Sequence, residues 1–238
     1  MSKLHVITPV KDSLETTLQT IENIMKSECS FDFSYTVYND FSSNETTEVL
    51  RQESIKQGFI LANLSDMTTH ASPNYLLVLQ TAQQKAMGEN AHLLIIESDV
   101  YVQPDTLQRI VDYGTMHENV GITAAVTTDI YGNINFPYYY AKKYKSGIYE
   151  TKKRLSFCCT LLNINFLKLY DFNELNPEKN WYDVFISHKS VELGFRNYLI
   201  TSLPVIHAPH SSRPWKLLKY SNPLKYYWQK YTRKRDKI

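Results

Sequence analysis

Glycine is scarce in this sequence. Seven glycines in 238 residues exclude a collagen-like or Gly-rich low-complexity architecture, and neither a GxGxxG fingerprint nor a GxxxxGKS/T phosphate loop occurs. Dinucleotide-binding and P-loop readings are thereby set aside. Cysteine is scarcer still. Cys29, Cys158 and Cys159 are odd in number and two are adjacent, which suits neither a disulfide framework nor a CxxC metal knuckle and points to a reducing compartment. No apolar run approaches the ~20 residues that cross a bilayer, and the opening MSKLHVITPVKDS lacks the charged-then-apolar pattern of a secretory signal. The expectation is a cytoplasmic protein, in which the sequons at Asn44 and Asn63 carry no glycan. Charge of one sign is also missing overall: 26 Lys plus Arg stand against 24 Asp plus Glu, so nothing global marks a nucleic-acid binder. With 43% hydrophobic residues the chain can bury the core of one domain.

What is present is an alternation. Leu4 to Thr8 is a short apolar run ending at Pro9, followed by Asp12 and Ser13 as a cap for a helix carrying Leu14, Leu18, Ile21, Ile24 and Met25. Phe33 to Tyr38 then reads as a strand, NDFSSN as a turn in which Ser43 or Asn44 caps, and Glu45 to Leu50 as the first turns of a helix. Phe59 to Leu61, His92 to Ile96 and Val120 to Val126 extend the strands, with helices over Asn74 to Met87 and from Pro104. Such alternation predicts an α/β sheet of mostly parallel strands. The second half is less regular. Residues 129 to 153 read as hairpins or a loop, Arg154 to Leu162 as a strand, and Trp181 to Leu193 as a helix with Trp181, Val184, Phe185, His188 and Val191 on one side. Tyr198 to Ile200 and Val205 to Ile206 read as two short strands.

Ligands of α/β sheets sit at the carboxyl ends of the strands, where TPVKD, NDFSSN and ESDVYV fall. Glu97 and Asp99 are two apart past a buried strand, so in extended chain both carboxylates face one ligand or one divalent cation; alternatively they only mark the exit to solvent. Asp40 ends a strand beside the same place, where its carboxylate can accept the imide N–H of a uracil ring.

In this arrangement the chain resembles the inverting glycosyltransferases of family 2, which have the GT-A fold. The resemblance covers nearly all of residues 3 to 210. It runs through HVITPVKDSLETTLQTI, through VYNDFSSNETTEVLRQ in place of the family's VDDGSTD-type segment, and through LIIESDVYVQPDTL in place of its DxD segment. Near the end, WYDVFISHKSVELGFRNYLITSLPVIHA resembles the family's EDVDLSLRLRKAGYRI followed by a strand and a histidine. It implies a mixed α/β sheet with flanking helices over residues 1 to 213 and transfer of a sugar, most simply from a UDP-sugar, to a saccharide or lipid-linked acceptor with Mn2+ or Mg2+. Surface polysaccharide or glycolipid assembly is the implied setting. It further implies that Thr8 and Pro9 line the nucleoside pocket, Asp40 contacts the base, and Glu97 lies by the ribose or diphosphate with Ser98 among the donor-binding residues. Asp99 and His207 would bind the metal, and Asp183 would be the base that deprotonates the acceptor. Asp183 has a second reading as a helix cap, and His207 and His210 as hydrogen-bonded surface residues. Tyr182 replaces the family's glutamate, Glu97 the first aspartate of DxD, and Asn39 the first of paired aspartates, while Gln80 falls about where many members carry an Arg-Asn pair. These departures keep open a catalytically inactive, sugar-binding or scaffolding subunit, and a nucleotidyltransferase is a more distant alternative.

Tyr138 to Tyr140 on the acceptor side either stack on sugar rings or pack under a loop, and Cys158 and Cys159 read as small buried residues. The tail over 214 to 238, expected to be helical, differs from the rest. Its last 24 residues hold eight Lys or Arg, one acid and six Trp or Tyr, a charge of +7 that leaves −5 on the body of a chain whose total is +2. Three readings stand: peripheral attachment to the anionic inner face of a membrane, a solvated helix packed on the body by its aromatics, or RNA contact.

Overall fold

The computed structural model describes residues 3–208 and 222–232. β1 (Lys3–Val10), β2 (Phe33–Asn39) and β4 (Ala91–Ile96) are runs of Val, Ile, Leu, Tyr and Thr largely buried on both faces, the pattern of strands covered by helices on each side. Between them come α1 (Leu14–Met25), α2 (Asn44–Gln57), β3 (Ile60–Asn63) and α3 (Tyr75–Glu89). β1 pairs parallel with both β2 and β4, and β2 with β3. The chain therefore winds outward from β1 to β3 and returns to the other side of β1. That reversal opens a crevice at the carboxyl ends of β1 and β4.

The remaining elements are β5 (Val100–Tyr101), α4 (Thr106–Gly114), β6 (Val120–Thr128), β7 (Ile148–Glu150), β8 (Cys159–Leu162), α5 (Ile164–Leu167), α6 (Tyr182–Glu192), β9 (Arg196–His207) and α7 (Pro223–Thr232). β8 lies antiparallel between β4 and β6, β9 runs parallel to β6, and β5 and β7 pair antiparallel with β9. The sheet is thus mixed, in the order β3-β2-β1-β4-β8-β6-β9-β5 with β7 alongside β9. Successive strand residues alternate between its faces. Ile7, Leu93 and Ile122 enter one apolar layer with Phe166, while Val6 and Leu94 enter the other with Ile21 and Ile110.

Several local expectations change. Ser13 does not cap α1 with its side chain; it and Asp12 adopt left-handed backbone, at φ 58° and 54°. Asp12 instead accepts from the Ser43 N–H and donates its own to Ser42, which staples the ends of β1 and β2 together. Ser43 caps α2 as expected, accepting from Thr46. Arg154 to Cys158 are not strand, and β9 is one strand rather than two, with a register shift against β6. The face of α6 is also reversed. Tyr182, Ile186, Ser187 and Ser190 are buried, whereas His188 is exposed and Trp181, Val184, Phe185 and Val191 are only half-buried. Ser187 bonds to the backbone of Leu155, Ser190 to Asn197, and an added Cβ at Gly121 would lie 2.2 Å from the Ser190 hydroxyl. Small residues on both sides let this helix close onto β6.

His5, fully buried in β1, makes stability pH-dependent. Burial, reinforced by Lys85 and opposed by Glu89, lowers its pKa from 6.5 to about 4, with Ser34 at 2.7 Å from Nδ1. Between those values the unfolded chain holds a proton that the folded chain does not. Stability is therefore intact above pH 6.5 and falls as pH drops toward 4, by about 3 kcal/mol from this group. Burial lowers His92 in the same sense. In urea titrations, His5→Gln should flatten the loss between pH 7 and about 4.5. An undiminished loss would mean that His5 titrates normally in the fold.

Candidate active site

β4 delivers the chain into a tight turn at Glu97, Ser98 and Asp99. The Val100 N–H donates back to the Glu97 carbonyl at 3.1 Å, and the Glu97 N–H donates to the Cys158 carbonyl at 3.0 Å. A turn, not extended chain, gathers the two carboxylates. β5 then pairs Val100 with His207 at the end of β9, and the Ala208 N–H donates to the Asp99 carbonyl at 2.8 Å, so two distant segments are locked side by side.

His207 Nε2 lies 3.6 Å from Asp99 Oδ2, with both residues buried, and His207 Nδ1 donates to the Phe136 carbonyl at 2.8 Å. That second bond fixes the ring so that Nε2 faces the cluster, the usual outer support of a metal-binding imidazole. Asn135 adds a bond from its amide to the His207 carbonyl at 3.0 Å. Burial works against protonation of His207, but the bond to Asp99, the charges of Asp99 and Glu97 and the Phe136 carbonyl prevail, and its pKa is raised.

Glu97 carries a raised pKa, first from burial and then from Asp99, with Asp183 adding to the rise and His207 and Cys158 opposing it. One Glu97 oxygen, the Cys158 sulfur and a His207 ring nitrogen lie within 4.8 Å of one another. Cys158 donates its thiol to Glu97 at 3.3 Å, and Ser156 lies 3.4 Å from the sulfur. Burial and the neighbouring carboxylates push that thiol well above its ordinary pKa. Nothing beside Cys158 in the sequence marks a reactive thiol; it arrives through the antiparallel pairing of β8 with β4.

Asp183 stands in the first turn of α6, after Trp181 rather than at the cap itself. Its Oδ1 accepts from the Val184 N–H at 2.9 Å and its Oδ2 lies 3.6 Å from Arg154, whose guanidinium stacks over Trp181. It serves the helix start from inside the first turn, and its charge adds to the raised pKa of Glu97 and Tyr138.

The donor-side residues divide. Thr8 is fully buried and accepts from the Tyr35 hydroxyl at 2.9 Å, so of this strand end only Pro9, half-buried, has surface to offer. Asp40, nearly buried, accepts from the Ser72 hydroxyl at 2.7 Å, the Asn74 N–H at 2.9 Å and the Asn74 side chain at 2.7 Å. It pins the entry to α3. Ser98 is buried in the turn. Asn39 bridges Thr47 and Asn63, and Gln80 donates to the Phe172 carbonyl. Tyr138 is buried, its hydroxyl bonded to the backbone of Ser156, while Tyr139 is exposed. Tyr182, where a glutamate was expected from the resemblance, is buried with its ring 6.4 Å from that of Tyr75. His210 falls outside the described residues.

No protein-family model matches the sequence, and no curated protein matches it. Solved structures do match. A mannosyltransferase from Pyrobaculum calidifontis, PcManGT, in complex with GDP-Man and Mn2+, superposes with a TM-score of 0.64 over 95% of this chain and 63% of its own, at 14% identity. TarS of S. aureus, residues 1-349 with UDP-GlcNAc, gives 0.66 over 89% and 60% at 18% identity. GalNAc-T7 with UDP, GalNAc and Mn2+ gives 0.66 over 89% and 45% at 12% identity. The chain spans less than two thirds of each of these proteins. The core built around β1, β4 and the Glu97–Asp99 turn thus has the GT-A fold.

Proposed function

We infer that the chain is a glycosyltransferase that moves a hexosyl or N-acetylhexosaminyl group from a nucleotide donor, a UDP-sugar, to a saccharide or lipid-linked saccharide with inversion, in surface polysaccharide or glycolipid assembly. The observation that carries this is the convergence of Glu97, Asp99, Asp183, His207 and Cys158 within a GT-A frame. Glu97 and Asp99 lie together with His207 as their nearby imidazole, while Asp183 is paired with Arg154; burial first, and then the Asp99 charge, raise the Glu97 pKa. The carboxylate oxygens and the imidazole nitrogen suit a divalent cation, Mn2+ or Mg2+, while the Cys158 thiol, kept neutral by burial, stands beside them.

Asp99 and His207 would hold the cation, with Glu97 and Cys158 beside them. Bound there, it would offset the charge that grows on the departing diphosphate. Asp183 accepts the proton of the attacking hydroxyl, held at one oxygen by the Val184 N–H and flanked at the other by Arg154. Pro9 and Asp40 would lie on the nucleoside side, with Asp40 held in place by the three bonds it accepts from Ser72 and Asn74. The support is fold, charge and spacing together. A second reading, an inactive donor-binding or scaffolding subunit, draws on the burial of Tyr182 in place of a glutamate.

Isothermal titration with UDP, GDP and CMP, each with and without Mn2+, tests the donor site. UDP should bind only with Mn2+, and Asp99→Ala should weaken it by about tenfold or more, since even an outer-shell partner of a metal ligand is worth about that much. If no nucleotide binds under any condition, the transferase reading fails.

A further inference from the structure

Most of the aromatic side chains in the described part of the tail do not pack on the body. In α7, Leu224, Tyr227, Trp228 and Tyr231 are 86%, 50%, 71% and 82% exposed. Their spacing of i, i+3, i+4 and i+7 places them in one stripe of the helix. Tyr226 is buried, and Lys230, four residues on, lies over the Trp181 ring at 5.9 Å. Tyr226 and Lys230 thus form the side that meets the body, and the stripe lies on the other side. A soluble helix orients its apolar face the opposite way.

The charge around the stripe indicates its occupant. α7 contains Lys225 and Lys230 and no acidic residue, and the sequence continues with Arg233, Lys234, Arg235 and Lys237 against a single Asp236. Trp and Tyr rings settle at the level of lipid headgroups, and basic side chains are drawn to anionic lipid. No helix among the described residues is long and apolar enough to cross a membrane. We propose that the exposed face of α7 is a docking surface for an anionic lipid bilayer, on which the helix lies flat.

The docking is independent of turnover. One consequence does rest on Asp183 as the acceptor-side base: Trp181, the residue under Lys230, precedes Asp183 by two positions. A bilayer-seated α7 therefore holds the acceptor side of the site at the lipid surface, where a lipid-linked saccharide would present its hydroxyl.

Flotation with vesicles of phosphatidylcholine, with and without phosphatidylglycerol, tests the surface. The full chain should float with the anionic vesicles, less so at raised salt. The triple variant Leu224→Ser, Trp228→Ser, Tyr231→Ser should partition about tenfold less or weaker, with an unchanged thermal midpoint because these side chains are exposed. Equal flotation of the variant, or none by the parent chain, would overturn the proposal, and equal flotation on neutral vesicles would overturn the choice of anionic lipid. Self-association of the parent chain, abolished in the variant and without flotation, would assign the face to a second copy. Single-stranded RNA binding lost in the variant, again without flotation, would assign it to RNA.

Discussion

Asp183→Asn is expected to lower turnover by about a thousandfold while leaving UDP affinity within a factor of about two, the range for removing a general base that does not hold the donor. Asn keeps an oxygen for the Val184 N–H, so the start of α6 is preserved. What it loses is the ability to take a proton. The substitution also removes one negative charge that raises the Glu97 pKa, so the cation site should be affected only slightly. Product formation in single-turnover assays, with UDP titration in parallel, gives both quantities. Unchanged turnover would eliminate Asp183 as the base. Absence of turnover in the parent chain, with UDP still bound in the presence of Mn2+, would favour the inactive-subunit reading.

The elements that position this site were legible where side chains alone decide them. Val, Ile and Leu runs ending in TPVKD, NDFSSN and ESDVYV located the crevice because parallel strands buried on both faces are nearly continuous apolar runs. Long-range pairing was not legible. Cys158 stands 61 residues from the glutamate it bonds, and only the antiparallel placement of β8 against β4 joins them. The α6 face is not given by hydrophobicity, because close approach to β6 selects Ser190 opposite Gly121 and Ser187 bonds to the Leu155 backbone. The strand-end position of Asp40 is all that the sequence shows of it. Its bonds to Ser72 and Asn74 depend on how the segment before α3 folds back.

Gln83 shows the same limit, and its replacement should cost the most stability. In the sequence it is one polar residue of α3. In the fold it is almost wholly buried, donates to the carbonyls of Leu167 and Tyr170 at 3.0 and 2.5 Å, and accepts from the Phe172 N–H at 2.8 Å. One side chain thus satisfies three backbone groups in the irregular stretch between α5 and α6. Leucine would fill similar space but leave two carbonyls and an N–H buried without those partners. At about 1 to 3 kcal/mol for each orphaned group, Gln83→Leu should lose about 4 kcal/mol. For a chain of this size that is a fall in thermal midpoint of about 10 °C. Gln80→Leu, on the same helix, breaks one 3.3 Å bond at a half-buried position and should lose under about 1 kcal/mol. Thermal unfolding of the two variants side by side separates bond count from helix position. Equal losses would show that the network around Gln83 contributes nothing specific. A large loss confined to Gln83→Leu would identify it as the residue that fixes the path from α5 toward Asp183.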